Sequence, residues 1–179
     1  MGVPHPPITW EYAVAIGVRF ASTLSWEMGV GVLLCFDCYL RESELLRDRL
    51  TVADVLLPGN SRGGSVFAGR CGLRLGATKT GREQFVEVLR PAVITLLSSV
   101  VENAMARGSP PTALLFDVSP SVFLRAFKEA AAALCLDPRV VVHSCRHGGA
   151  TSDFLRGLDI AFIQHRGRWA SVPAEATPL

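Results

Sequence analysis

The sequence predicts a mixed α and β domain, mainly helical, with a small antiparallel sheet. Three observations lead there. Apolar residues recur at helical spacing through the first third of the chain, two extended segments flank a Lys79-Thr80-Gly81-Arg82 turn near its middle, and Pro91 opens a further helical run. The 179 residues, 49% of them hydrophobic, suffice for one domain with a sizeable core and leave no room for a second.

Taken in order, Val14, Val18, Ala21, Leu24, Met28 and Val32 lie at helical spacing between Thr9 and Leu34. Within that run Gly29 and Gly31 predict either a break or tight packing between two helices. A second helical piece is expected from Arg41 to Leu50, then a short strand from Val52 to Leu57 that Pro58, Gly59 and Asn60 terminate. Segments Ser65 to Leu75 and Gln84 to Leu89 read as a hairpin, with Gly81 able to supply a positive φ and Lys79 at or beside the tip. Pro91 suits the first turn of a helix reaching Ala106, and Arg107 to Thr112 is a loop. Ser119 or Ser121 can cap a helix through Leu134, which Asp137-Pro138 stops before a polar segment begins at His143. There is no internal repeat or low-complexity tract.

Composition narrows the class further. A formal charge of +2 permits nucleic-acid binding without requiring it. No run approaches the ~18 apolar residues of a membrane helix, since Ala13 to Phe36 is interrupted by Arg19 and Glu27. Met1 to Pro7 lacks a signal-peptide pattern. Five scattered cysteines point to reduced thiols and hence an intracellular protein, nuclear in a eukaryote and cytoplasmic in a prokaryote. Cys35 and Cys38 form a C-x-x-C without a second pair or a nearby histidine, so they are expected as buried small side chains rather than a zinc or redox site. No metal or cofactor is expected.

The chemistry is concentrated in His143-Ser144-Cys145-Arg146-His147-Gly148-Gly149-Ala150-Thr151, followed by Gly167-Arg168-Trp169-Ala170-Ser171. A helix starting at Ser144 would carry an imidazole and a guanidinium three residues apart, facing one point. Gly148 and Gly149 would then fall in its first turns, each costing up to ~1 kcal/mol against alanine. Close approach of another backbone or of a phosphate would account for them.

This H-x-x-R-H segment with its trailing G-x-W element resembles the second signature box of the tyrosine recombinases, the phage-integrase family. Tyr39-Leu40-Arg41-Glu42-Ser43-Glu44-Leu45-Leu46 is similar to that family's first box, and Thr78-Lys79-Thr80-Gly81-Arg82 resembles its hairpin lysine. The three elements occur in the family's order across most of the chain. The resemblance implies a tyrosine-recombinase catalytic-domain-like fold, double-stranded DNA and other recombinase subunits as partners, no membrane role, and an origin in DNA recombination or integration such as that of a mobile element.

It also implies roles. Transesterification at a phosphodiester builds charge on the non-bridging oxygens, which two guanidinium forks, Arg41 and Arg146, can hold bidentately. By resemblance His143 assists proton transfer, Lys79 protonates the departing 5′ oxygen, and Trp169 donates its indole N–H. Glu44 is expected to orient Arg41, His147 to cap or support the motif helix, and His165 and Arg166 to be exposed or to touch DNA backbone.

The family's nucleophile is a tyrosine ~9 residues beyond the G-x-W element, and that count lands on Pro178. No tyrosine occurs after Trp169, Pro173 and Pro178 oppose a helix there, and the only tyrosines are Tyr12 and Tyr39. On a helix Tyr39 would point away from Arg41. The sequence is therefore expected to be one catalytic-type domain over 1–179, truncated or divergent after about residue 171 and without the N-terminal core-binding domain of its relatives, inactive in strand transfer but still able to bind DNA phosphate. A non-catalytic DNA-binding or regulatory relative is the alternative reading. A hydrolase using Cys145 and His143 is disfavoured because no acid stands ready to orient the histidine.

Overall fold

A computed structural model describes residues 5–46, 50–58, 69–76 and 84–169. The first helical region is two helices, α1 (Trp10–Thr23) and α2 (Trp26–Asp37). The break falls at Leu24 and Ser25, ahead of the glycines, because the Ser25 hydroxyl caps α2 by accepting from the Met28 N–H. Gly29 serves packing instead: a Cβ there would stand 2.4 Å from the Gly17 carbonyl oxygen, so the two helices cross at van der Waals contact of their backbones. α2 is buried along nearly its whole length, and Val32, Leu34, Cys35 and Phe36 are fully enclosed. Cys35 and Cys38 are both buried with free thiols, and burial raises the pKa of each far above the ordinary thiol value.

Helix α3 (Glu42–Leu46) is shorter than the predicted piece, since Leu50 is not helical. Where one strand was expected, Val52–Asp54 forms a single 3₁₀ turn and only β1 (Val55–Leu56) is extended. Asp54 closes that turn by accepting from the Thr51 N–H and hydroxyl, which pulls the chain out of strand geometry. β1 pairs antiparallel with β2 (Cys71–Leu75), and β2 with β3 (Gln84–Val88), giving the sheet order β1-β2-β3. Leu75 faces Gln84 across the ladder, so the two segments pair as the expected hairpin; Lys79 and its turn lie outside the described residues.

Helix α4 (Pro91–Ala106) starts at its proline, and α5 (Pro120–Ala133) is capped by Ser119. Two further helices, α6 (Val142–Leu155) and α7 (Ile160–Gly167), carry the motif residues. α6 begins two residues earlier than predicted. Ser144 is not its cap but reaches back to accept from the Val141 N–H at 3.2 Å. The mainly helical architecture with one small antiparallel sheet is the class the sequence predicts.

Candidate phosphate-binding site

The site forms where the α2–α3 connection meets the two motif helices. α6 can lie against the end of α2 only because it lacks side chains there. A Cβ at Gly149 would sit 2.0 Å from the Phe36 carbonyl oxygen and 2.8 Å from the Tyr39 ring, and one at Gly148 would sit 2.1 Å from the Ile8 carbonyl oxygen. The glycines thus answer to neighbouring backbone. The contact brings Arg146, which is only 1% exposed, beneath the α2–α3 connection. Its two terminal nitrogens donate to the Tyr39 and Gly167 carbonyls, and its guanidinium lies 4.9 Å from the centre of the Trp169 ring.

Tyr39 is a scaffold residue that sequence reasoning misplaced. It is not on a helix: its φ of 50° puts it in the left-handed region, which turns the chain between α2 and α3 and aims its carbonyl at Arg146. Its ring is fully buried and stacks on Trp169 with centroids 5.9 Å apart, and its hydroxyl donates to Asp153 at 2.5 Å. Burial and that carboxylate push the phenol pKa well above its ordinary value.

Arg41 immediately precedes α3. Glu44, 2% exposed, reaches back to accept from the Arg41 N–H at 2.8 Å, the third-residue half of a capping box, and pairs with its guanidinium at 3.4 Å. The Arg41 side chain keeps 38% of its surface exposed, so the guanidinium faces solvent at the rim while its carboxylate partner is enclosed.

A second guanidinium also reaches Glu44: Arg168 donates to the same carboxylate at 2.6 Å and to the Tyr39 carbonyl at 3.2 Å. Three guanidiniums thus gather around one carboxylate. Burial first, and then the charges of Arg168 and Arg41, lower the Arg146 pKa to about 10, which still leaves it cationic at neutral pH.

Trp169 owes its place to the end of α7. Arg168 there adopts a φ of 54°, the Arg168 N–H bonds the His165 carbonyl, and the Trp169 N–H bonds the Gln164 carbonyl, a Schellman closure. The indole then folds back over Gly167, where a Cβ would meet ring carbons at 2.3 Å.

His143 lies in the first turn of α6 at the exposed edge of the site, with its ring 4.6 Å from that of His147 and 6.3 Å from that of His5. Partial burial, followed by the charges of His147, Arg146, His5 and Arg41, lowers its pKa from 6.5 to about 4, so the imidazole is neutral at pH 7. The His147 Nδ1 lies 3.3 Å from the His5 carbonyl, which ties the leading segment to α6.

Arg166 corrects an expectation. It neither faces solvent nor is free to meet DNA, because its side chain is 4% exposed and donates to the Asp37 and Glu87 carbonyls between Asp37 and Asp153. It joins α7 to the end of α2 and to β3. His165 is exposed, as expected. Of the sequence-predicted site residues, Arg41, Glu44, His143, Arg146, His147 and Trp169 come together, while Lys79 lies outside the described residues. No group of three His, Cys, Asp or Glu residues able to hold a metal ion occurs among the described residues, and no described helix is long and apolar enough to cross a membrane.

The fold is that of the tyrosine recombinases and integrases. XerA recombinase aligns with a TM-score of 0.69 at 20% identity over 95% of this chain and 58% of its own. A lambda integrase dimer bound to a COC′ core site aligns with a TM-score of 0.65 at 15% identity over 100% of this chain and 62% of its own. XerH site-specific recombinase, in a pre-cleavage complex with its difH substrate, gives a TM-score of 0.65 at 16% identity over 96% of this chain and 49% of its own. The chain therefore spans between 49% and 62% of the length of these structures. No protein-family model and no curated protein sequence matches it.

Proposed function

We propose that this chain is a DNA-recombination domain that grips a backbone phosphate of duplex DNA, and that its 179 residues hold the clamp of a strand-transfer site without the nucleophile. The observation that carries the reading is the gathering of Arg41, Arg146 and Arg168 around a single buried carboxylate, Glu44, on a recombinase fold. Three fixed positive charges against one negative leave a net of two for an anion to neutralise. Arg41 at the rim would take a non-bridging oxygen, Arg146 beneath it would add its positive charge from the core while bracing the Tyr39 and Gly167 carbonyls, and the neutral His143 imidazole beside them would donate or accept a hydrogen bond. Trp169, braced between Arg146 and Tyr39, would close the far side of the phosphate. Lys79 would serve as the proton donor to a departing 5′ oxygen, a role that rests on the resemblance alone.

Among the described residues neither tyrosine is placed to attack the phosphorus. Tyr39 has its hydroxyl committed to Asp153 and its pKa raised, the reverse of an activated nucleophile. Tyr12 is exposed on α1. No tyrosine follows Trp169 in the sequence.

The test is a nicked suicide substrate, in which cleavage traps the protein covalently on DNA. The expected result is duplex binding at low salt with no covalent adduct. An adduct would overturn the nucleophile-free reading, and absence of any duplex binding at low salt would overturn the phosphate clamp.

A further inference from the structure

Arg168 is the middle, unspecified residue of the G-x-W element. The structure gives it the shortest side-chain contact to Glu44. Arg168 approaches Oε2 of that carboxylate to 2.6 Å, whereas Arg41 stands 3.4 Å from Oε1. The Arg168 side chain is 8% exposed and the Arg41 side chain 38%. A second, independent observation concerns the backbone: Arg168 occupies a left-handed position, φ 54°, at the C-terminal end of α7, where glycine carries no Cβ penalty. An arginine at a left-handed helix end, with its head group bonded to Glu44 and to the Tyr39 carbonyl, points to a role for the side chain.

We infer that Arg168 is a positioning residue: by holding the buried Glu44 carboxylate at 2.6 Å it keeps the Arg41 guanidinium in only a long, 3.4 Å contact with Glu44, at the rim where it can turn to a DNA phosphate. The inference rests on the phosphate-clamp reading above and deepens it. Glu44 cannot remain enclosed without a cation, because a buried unpaired carboxylate is strongly disfavoured. With Arg168 absent, the one other guanidinium bonded to it among the described residues is Arg41, whose contact would tighten and draw it inward from the rim. Two effects then add. The pocket loses one of its two net positive charges, and the remaining rim guanidinium is spent on an internal partner. The field of Arg168 also reaches Arg146, where it is the largest contribution after burial to the lowered pKa.

The test measures affinity for a short DNA duplex by fluorescence anisotropy at fixed low salt, in wild type, Arg168→Gly, Glu44→Gln, the Glu44→Gln/Arg168→Gly double variant and Arg41→Ala. Glycine suits the left-handed backbone, so Arg168→Gly should fold, and its thermal melt is recorded alongside. Losing one net charge and one charge-assisted contact predicts about tenfold weaker binding for Arg168→Gly. In the double variant no carboxylate remains to capture Arg41 and the net charge returns to two, so affinity should recover to within about threefold of wild type. A residue with a merely structural role would give no such rescue. If Arg168→Gly binds as wild type does, or if the folded double variant is as weak as Arg168→Gly, the inference about Arg168 is overturned while the clamp stands. If Arg41→Ala binds as tightly as wild type, the clamp itself is overturned.

Discussion

Replacing Gly149 by alanine separates two forces of opposite sign. In an exposed helix interior the change would stabilise by ~1 kcal/mol, since alanine is the better helix former. Here the new Cβ would stand 2.0 Å from the Phe36 carbonyl oxygen and 2.8 and 2.9 Å from two carbons of the Tyr39 ring. Ordinary carbon–oxygen contacts lie near ~3.3 Å, so α6 and the end of α2 must part by about 1 Å. Both groups it meets are buried, so neither can swing aside as a surface side chain would. Overpacking of this kind costs ~3 kcal/mol, which leaves a net loss of ~2 kcal/mol after the helix gain. For a domain of this size that corresponds to a melting point lower by ~4 to 8 °C. The separation also moves Tyr39, whose carbonyl Arg146 holds, so duplex affinity should fall with stability. Thermal unfolding followed by circular dichroism reads the first effect, with Thr151→Ala on the exposed side of the same helix as control. An unchanged or higher melting point for Gly149→Ala would refute the close backbone approach.

Replacing Arg166 by methionine takes the buried guanidinium from between Asp37 and Asp153, leaving Asp37 to Arg90 and Asp153 to Tyr39 and Arg156, and removes bonds to the Asp37 and Glu87 carbonyls; urea unfolding should show a loss of ~3 kcal/mol, and a loss below ~1 would contradict the bracing role. His143 should titrate by NMR near pH 4, well below its ordinary 6.5, and inorganic phosphate should raise that midpoint. Because its folded-state pKa is lowered, the unfolded chain binds the extra proton between those values, so His143 makes the fold less stable as pH falls through that window. His143→Asn should therefore lose less stability than wild type between pH 7 and pH 4.5, and equal losses would count against the depressed pKa.

What could be read in the sequence was local. The three-residue spacing of His143 and Arg146, the reach of Glu44 back to Arg41, the Pro91 and Ser119 helix starts and the hairpin itself each depend on neighbours within a short stretch of chain. Gly148 and Gly149 were legible as anomalies, although only the fold shows that Ile8 and Phe36 are the backbones they admit. The start of α6 was misplaced because Ser144 has the chemistry of a cap but supports the first turn from within it. Tyr39, Arg166 and Arg168 were illegible for one reason: their partners stand far off in sequence. Arg168 meets Glu44 across 124 positions, Arg166 meets Asp37 across 129, and Tyr39 meets Asp153 across 114. No periodicity encodes such pairs.

If Arg41 neutralises a DNA phosphate, the salt dependence of binding reports it most directly. Each phosphate contact adds nearly one unit to the slope of log affinity against log salt concentration. Arg41 is the variant of choice because its exposed side chain can be removed without unpicking the core, unlike Arg146. Arg41→Ala should bind duplex DNA more weakly at every salt concentration and lower the slope by about one. A slope and affinity identical to wild type would contradict the account.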